Sequence, residues 1–242
     1  MLGAAGPSCV AVKPQLACFE RLGPPGWAAL TRIVDTAHEA GLLVIADGKR
    51  GDVPVSAAAY AQALFGSTPS PFGEIMGLGA DAATLNGTLG RDSLAPMIEG
   101  AARAGAGLFV LVRTSNPGAA DLLDQPAPDE PFHERLAAMV SELGPGLDGE
   151  EGLSGLGAVV GATEPAHVAR LRELMPRSPF LLPGVGAQGG SAGDLGGAFA
   201  THPASAIVTA SRSIAGAEDP AEAAEALRQE VWDVSCRALD TG

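Results

Sequence analysis

Seven short apolar runs recur along the chain, and each breaks off into a polar cluster. They cover residues 8–12, 43–46, 82–85, 107–112, 156–160, 180–182 and 206–210. Their apolar residues are continuous rather than alternating, as in strands covered on both faces. The stretches between them carry helical spacing, for example Leu30, Ile33, Val34 and Ala37, or Leu136, Met139, Val140 and Leu143. Strand and helix alternate, with a strand about every 35 residues, which predicts a parallel α/β fold. The polar clusters lie after the strands. That is the layout of a (β/α) barrel of the TIM type, whose sites sit at the carboxyl ends of its strands. A doubly wound open sheet is the alternative.

The expected helices follow from the same pattern. Trp27 begins the stripe that ends at Ala37, with Gly41 as its stop. Further helices are expected over residues 56–65 and 92–103, and around Phe132, Val168 and Leu227. Thr163 and Asp219 are the expected caps of the last two. Trp27 and Trp232 are assigned to the core, and residues 144–155 to a loose Gly-rich loop.

Composition removes several function classes. The chain has 242 residues and a formal net charge of −13, opposite in sign to an ordinary nucleic-acid binder. Its three cysteines are odd in number and lack close spacing, which argues against a disulfide framework or a zinc site and fits a reducing cytoplasm. No apolar run approaches the roughly 20 residues that span a bilayer, so no membrane partner is expected.

The second run ends in Asp47-Gly48-Lys49-Arg50-Gly51-Asp52, with four charged residues among six. Ionisable groups at the mouth of a buried strand are costly unless paired or used. A solvated loop is the competing reading. Lys13 closes the preceding strand, so Lys13, Asp47, Lys49 and Asp52 are expected to form an alternating charge network. Late in the chain, Pro183-Gly184-Val185-Gly186-Ala187-Gln188-Gly189-Gly190 is a Gly-rich turn after a strand, and Arg212 directly follows the next strand. Backbone amides there can approach an anion, and a guanidinium can fork onto phosphate oxygens. Phosphate sites after the last two strands recur in this barrel class. His38, His133, His167 and His202 lack ligand-type spacing and are read as surface residues. Asp121, Asp124, Asp129 and Glu130 are read as a solvated acidic loop.

Five segments occur together in order: Val12-Lys13-Pro14-Gln15, Asp47-Gly48-Lys49-Arg50-Gly51-Asp52, Thr114-Ser115-Asn116-Pro117-Gly118, the Gly-rich turn, and Ser211-Arg212-Ser213-Ile214. The combination resembles the orotidine 5′-phosphate decarboxylase family, in particular its longer bacterial subfamily. The resemblance implies a (β/α) barrel and conversion of orotidine 5′-phosphate to UMP and carbon dioxide, the last step of de novo UMP biosynthesis. It implies no cofactor and no metal. It also implies a cytoplasmic homodimer, with a nucleotide substrate and with Asp52 reaching into the partner subunit's site.

By motif, Lys49 would protonate the ring carbon, Asp47 would flank the departing carboxylate, and Lys13 would bridge Asp47 and the ribose hydroxyls. Ser115 would contact the pyrimidine, and Gln188 and Arg212 the phosphate. Asn86, Pro183, Gly184 and Gly189 complete the expected substrate-binding set.

The family carries an earlier strand, with an Asp for the ribose, and a helix. Residues 1–7 are too short for both, so seven of eight strands are expected, in a single N-terminally truncated barrel domain over residues 1–242. Other readings of the same motifs are a sugar-phosphate decarboxylase or aldolase of the same suprafamily, and an inactive phosphate-binding barrel.

Overall fold

The computed structural model describes residues 1–126, 128–186 and 189–240. The chain divides into two compact units. One holds Cys9–Leu108 with Leu2; the other holds Phe109–Gly242 with Met1 and Gly3–Ser8.

In the first unit, strand β1 (Ala11–Val12) is followed by helices α1 (Leu16–Glu20) and α2 (Pro24–Glu39). Next come β2 (Leu43–Arg50), α3 (Pro54–Leu64), a hairpin of β3 (Ser67–Ser70) and β4 (Gly73–Met76), β5 (Ala82–Leu85) and α4 (Arg91–Ala104). Strands β1, β2 and β5 pair in that order, all parallel. Helix α2 buries Leu30, Val34 and Ala37 against this sheet's core, as its spacing predicts. Trp27 is 41% exposed, so the assignment to the core fails: its ring falls at the edge of the stripe. The hairpin was not expected. Its residues are mostly exposed on both faces, Phe72 at its tip fully so, and such a segment leaves no alternating signal in the sequence.

Strand β6 (Gly107–Arg113) crosses the boundary between the units. In the second unit follow α5 (Ala119–Leu122), α6 (Phe132–Leu143), β7 (Leu156–Val160), α7 (Pro165–Leu174), β8 (Phe180–Leu182), β9 (Ala206–Val208), α8 (Arg212–Ala215) and α9 (Pro220–Asp240). Strands β6 to β9 lie side by side in chain order, and the β7–β8 and β8–β9 pairs are parallel. All of β7 and β8 is buried, as continuous apolar runs require.

Asp219 caps α9, accepting from the amides of Ala221 (2.8 Å) and Glu222 (3.1 Å). Thr163 does not cap α7; Glu164 holds that position and Pro165 opens the helix. Trp232 is 59% exposed, and Val234 and Ser235 face inward instead. Residues 144–155 are not loose. Gly144–Leu147 form a 3₁₀ turn, and the buried Ser154 hydroxyl donates to the Gly144 carbonyl at 2.8 Å. Among the described residues, no helix is long and apolar enough to cross a membrane.

Candidate active site

The charge array of the first unit forms where β2 outruns its neighbour. Ala46 pairs with Ala83 and Arg50 with Leu85, so three residues of β2 face Thr84 alone. This excursion contains Asp47, Gly48 and Lys49. The Asp47 amide donates to the Pro14 carbonyl (3.1 Å), which carries the end of β1 alongside. Lys13 thereby reaches the same carboxylate.

Asp47 is 3% exposed, and its carboxylate is filled from three sides. Lys13 Nζ donates to Oδ2. Oδ1 accepts from Lys49 Nζ (2.5 Å) and from the Thr84 hydroxyl (2.9 Å). Burial pushes the Asp47 carboxyl up. The Lys13 charge, hydrogen bonds from Lys13 and Lys49, and the Lys49 charge together outweigh it, so the pKa lies below the ordinary carboxylate value. The carboxylate therefore stays ionised between two cations, one of which, Lys49, keeps 42% of its side chain exposed. That makes a buried anion with a solvent-facing proton donor beside it.

Asp52 does not join this network. Among the described residues, its carboxylate accepts only from the adjacent Val53 amide, at 2.7 Å. Val53 and Val55, which flank the turn into α3, are exposed. Asn86 sits at the end of β5, its amide donating to the Arg50 carbonyl at 2.8 Å and its Oδ1 accepting from the Thr88 amide at 3.1 Å. A Cβ on Gly51 would lie 2.4 Å from the Asn86 carbonyl oxygen, so only glycine lets the two strand ends approach this closely. Arg50 turns away from the array, pairing with Glu20 and lying 5.6 Å from the Tyr60 ring centre.

In the second unit, Ser115 follows β6 and rests against the backbone of Gly161. A Cβ on Gly161 would stand 2.9 Å from the Ser115 amide nitrogen and Cα. Pro183 and Gly184 leave the end of β8, and the Pro183 carbonyl accepts from the Ala162 amide at 2.8 Å. Within the turn, the amides of Gly186, Gly189 and Gly190 donate to the carbonyls of Gly190, Gly186 and Gly184. Three of the amides expected to face an anion are thus committed to closing the turn. Arg212, exposed, opens α8, with three residues between it and the end of β9. Its neighbour Ser213 lies against Gly186, which brings the Gly-rich turn and the Arg212 segment together as the sequence predicts. Gln188 lies outside the described residues.

Three features escaped the sequence reading. Thr84 is one, although a hydroxyl inside a buried apolar run must find a partner, and that was its available signal. The second is Arg113, 8% exposed at the end of β6, which binds Asp124 through Nε (3.1 Å) and Nη2 (2.9 Å). Asp124 is therefore not part of a solvated loop. The Arg113 hydrogen bonds hold its carboxyl below the ordinary range, against the effect of burial. The third is His133, 1% exposed rather than on the surface, with Nδ1 2.8 Å from the Leu123 carbonyl oxygen. The surrounding loop supplies that partner, and helical spacing does not reveal it. Among the described residues, no cluster of three or more metal-ligating side chains occurs.

Comparison with known proteins gives a consistent picture. The family model described as orotidine 5′-phosphate decarboxylase / HUMPS family matches residues 1–227. An orotidine 5′-phosphate decarboxylase of Rhodopirellula baltica is 44% identical over 94% of this chain and 74% of its own length. One from Deinococcus radiodurans is 43% identical over 96% of this chain and 82% of its own length. The solved OMP decarboxylase of Leishmania donovani superposes with a TM-score of 0.78 at 32% identity, covering 97% of this chain and 85% of that one. The fold is accordingly of the (β/α)-barrel type, with the seven strands read from the sequence. The chain belongs to the orotidine 5′-phosphate decarboxylase / HUMPS family.

Proposed function

We propose that the chain converts orotidine 5′-phosphate to UMP and carbon dioxide, closing de novo UMP synthesis. The observation that carries this reading is the buried Asp47 carboxylate, held ionised between Lys13 and Lys49. As the substrate carboxylate leaves, negative charge develops on the ring carbon. A preorganised ammonium at that point stabilises it, and Lys49 then delivers a proton. Like charges 4 Å apart repel by roughly 4 kcal/mol at an effective dielectric of about 20. Asp47 beside the substrate carboxylate therefore raises the ground state by an amount that vanishes as carbon dioxide departs. Lys13 holds Asp47 and reaches the ribose hydroxyls. Ser115 takes the pyrimidine edge. Asn86, Pro183, Gly184 and Gly189 complete the ligand contacts, and Gln188 with Arg212 binds the phosphate.

In an acidic chain, such local cations are what an anionic nucleotide needs. No step calls on a cofactor or metal. Purified protein is expected to remove the orotate-type ultraviolet absorbance of orotidine 5′-phosphate and to form UMP stoichiometrically. Folded protein that leaves the substrate intact would overturn the reading.

The active form in this reading is a cytoplasmic homodimer. An Asp52 carboxylate bound only by its own loop, flanked by exposed Val53 and Val55, supports a role for Asp52 across the dimer interface. Asp52→Ala and Lys49→Ala proteins should each be nearly inactive. Co-refolded in equal amounts, they should regain about a quarter of wild-type activity, because half of randomly formed C₂ dimers are hybrids with one intact site. A mixture no more active than its parents would rule out the shared site.

A further inference from the structure

We propose that Thr84 is a positioning residue for the proton donor, holding Lys49 in place through its backbone. This rests on the decarboxylase reading of the same site. Three residues of β2 face one of β5 at this point, and on that edge the excursion has no ladder to fix it beyond the Asp47 amide's bond to Pro14 on the other side. Lys49 ends the excursion with φ 49°, the one non-glycine residue in the left-handed region among those described. A long side chain adopts that conformation only where its surroundings enforce it.

The Thr84 hydroxyl supplies the enforcement. It accepts from the Lys49 amide at 2.9 Å and donates to Asp47 Oδ1 at 2.9 Å. One buried group, 1% exposed, thus ties the first residue of the excursion to the last. Both roles of the hydroxyl are filled, and they fix the two ends between which the Lys49 ammonium meets Asp47 Oδ1 at 2.5 Å. Nothing in this arrangement requires Thr84 to touch substrate. Its neighbours in β5 are Ala83 and Leu85, which offer no polar substitute.

The test uses Thr84→Val, which keeps the branched shape and removes the hydroxyl, and Thr84→Ser, which keeps the hydroxyl. Misplacement of a reacting group by about 1 Å can cost on the order of 100-fold in rate. Thr84→Val should therefore lose about 10- to 100-fold in kcat, with KM and the affinity for UMP changed less than about threefold. Thr84→Ser should recover most of the rate.

The Lys49 amide gives a readout independent of activity. Its hydrogen exchange, followed by NMR, should be slow in the wild type and in Thr84→Ser and fast in Thr84→Val. If Thr84→Val does not fold, the comparison is made on Thr84→Ala. Unchanged kcat in the hydroxyl-free variant, equal losses of kcat and UMP affinity, or unchanged exchange at Lys49 would each overturn the proposal. A wild type without decarboxylase activity would overturn the functional reading instead, and the exchange measurement would still decide the role of the hydroxyl.

Discussion

Lys49→Ala should lower kcat for decarboxylation by about 1,000-fold or more, because it removes the more exposed of the two cations on Asp47, the one proposed to meet the developing charge. Removing one preorganised donor from a site of developing charge costs on the order of 100- to 1,000-fold, and Lys49 is also the proton source in this reading. The fold should survive. The Lys49 side chain is 42% exposed, and Asp47 keeps Lys13 and Thr84 as partners. Affinity for UMP should change far less than kcat, because the proposed phosphate contacts lie elsewhere in the sequence. Steady-state kinetics beside a UMP titration separates the two effects. A Lys49→Ala enzyme that keeps wild-type kcat would remove Lys49 from the mechanism.

The second large effect concerns stability. Arg172 on α7 is 3% exposed, and among the described residues its hydrogen bonds all go to main-chain carbonyls. Its Nε donates to Ala198 O (3.0 Å), Nη1 to Met175 O (2.7 Å) and Ser178 O (2.8 Å), and Nη2 to Ser205 O (3.0 Å). The guanidinium stacks 3.7 Å from the Phe180 ring centre. Burial lowers its pKa to about 10, which still leaves it charged at neutral pH. One side chain thus joins the end of α7 to the segments that lead into β8 and β9. Arg172→Met preserves much of the volume but takes the guanidinium from all four carbonyls: Ala198 keeps the Ser205 hydroxyl, Ser205 the Phe180 amide and Met175 the Ser178 amide, while the buried Ser178 carbonyl loses its donor.

Leaving one buried carbonyl unpaired costs about 1–3 kcal/mol, and loss of the charge-assisted bonds to the other three brings the net loss to about 3–5 kcal/mol. Against a total stability of about 5–15 kcal/mol, that should lower Tm by about 10 °C. Thermal unfolding followed by circular dichroism measures it. A Tm within about 2 °C of wild type would show that the remaining donors satisfy these carbonyls without the guanidinium. Arg172→Lys should not restore stability, since an ammonium lacks the planar fork that reaches all four carbonyls.

These residues also show what a sequence can reveal about a barrel of this kind. The strands were legible because continuous apolar runs have few uses other than buried strands. Asp47 and Lys49 were legible because charge at the end of such a run is expensive unless used. Arg172 was not. In sequence it is a basic residue one position past Leu171, on a helix whose solvent face also carries Arg170. Carbonyls of Met175 and Ser178 just beyond it, together with those of Ala198 and Ser205 further along the chain, make it internal. Thr84 was hidden for a related reason: its partners depend on a register offset between two strands, and no local pattern encodes that offset. His133 and Asp124 acquire their partners from a folded loop and from Arg113, so hydropathy alone assigns them to the surface.

A methyl group at Gly161 would collide with the main chain of Ser115, so the surface behind that serine is made of backbone and admits no side chain. If Ser115 takes the pyrimidine edge as proposed, substitution at Gly161 cannot remodel that end without shifting main chain, because every replacement adds an atom where none fits. In that reading, a changed ring preference has to come from positions other than Gly161. The position carries no chemistry, yet it closes one evolutionary route to a new substrate.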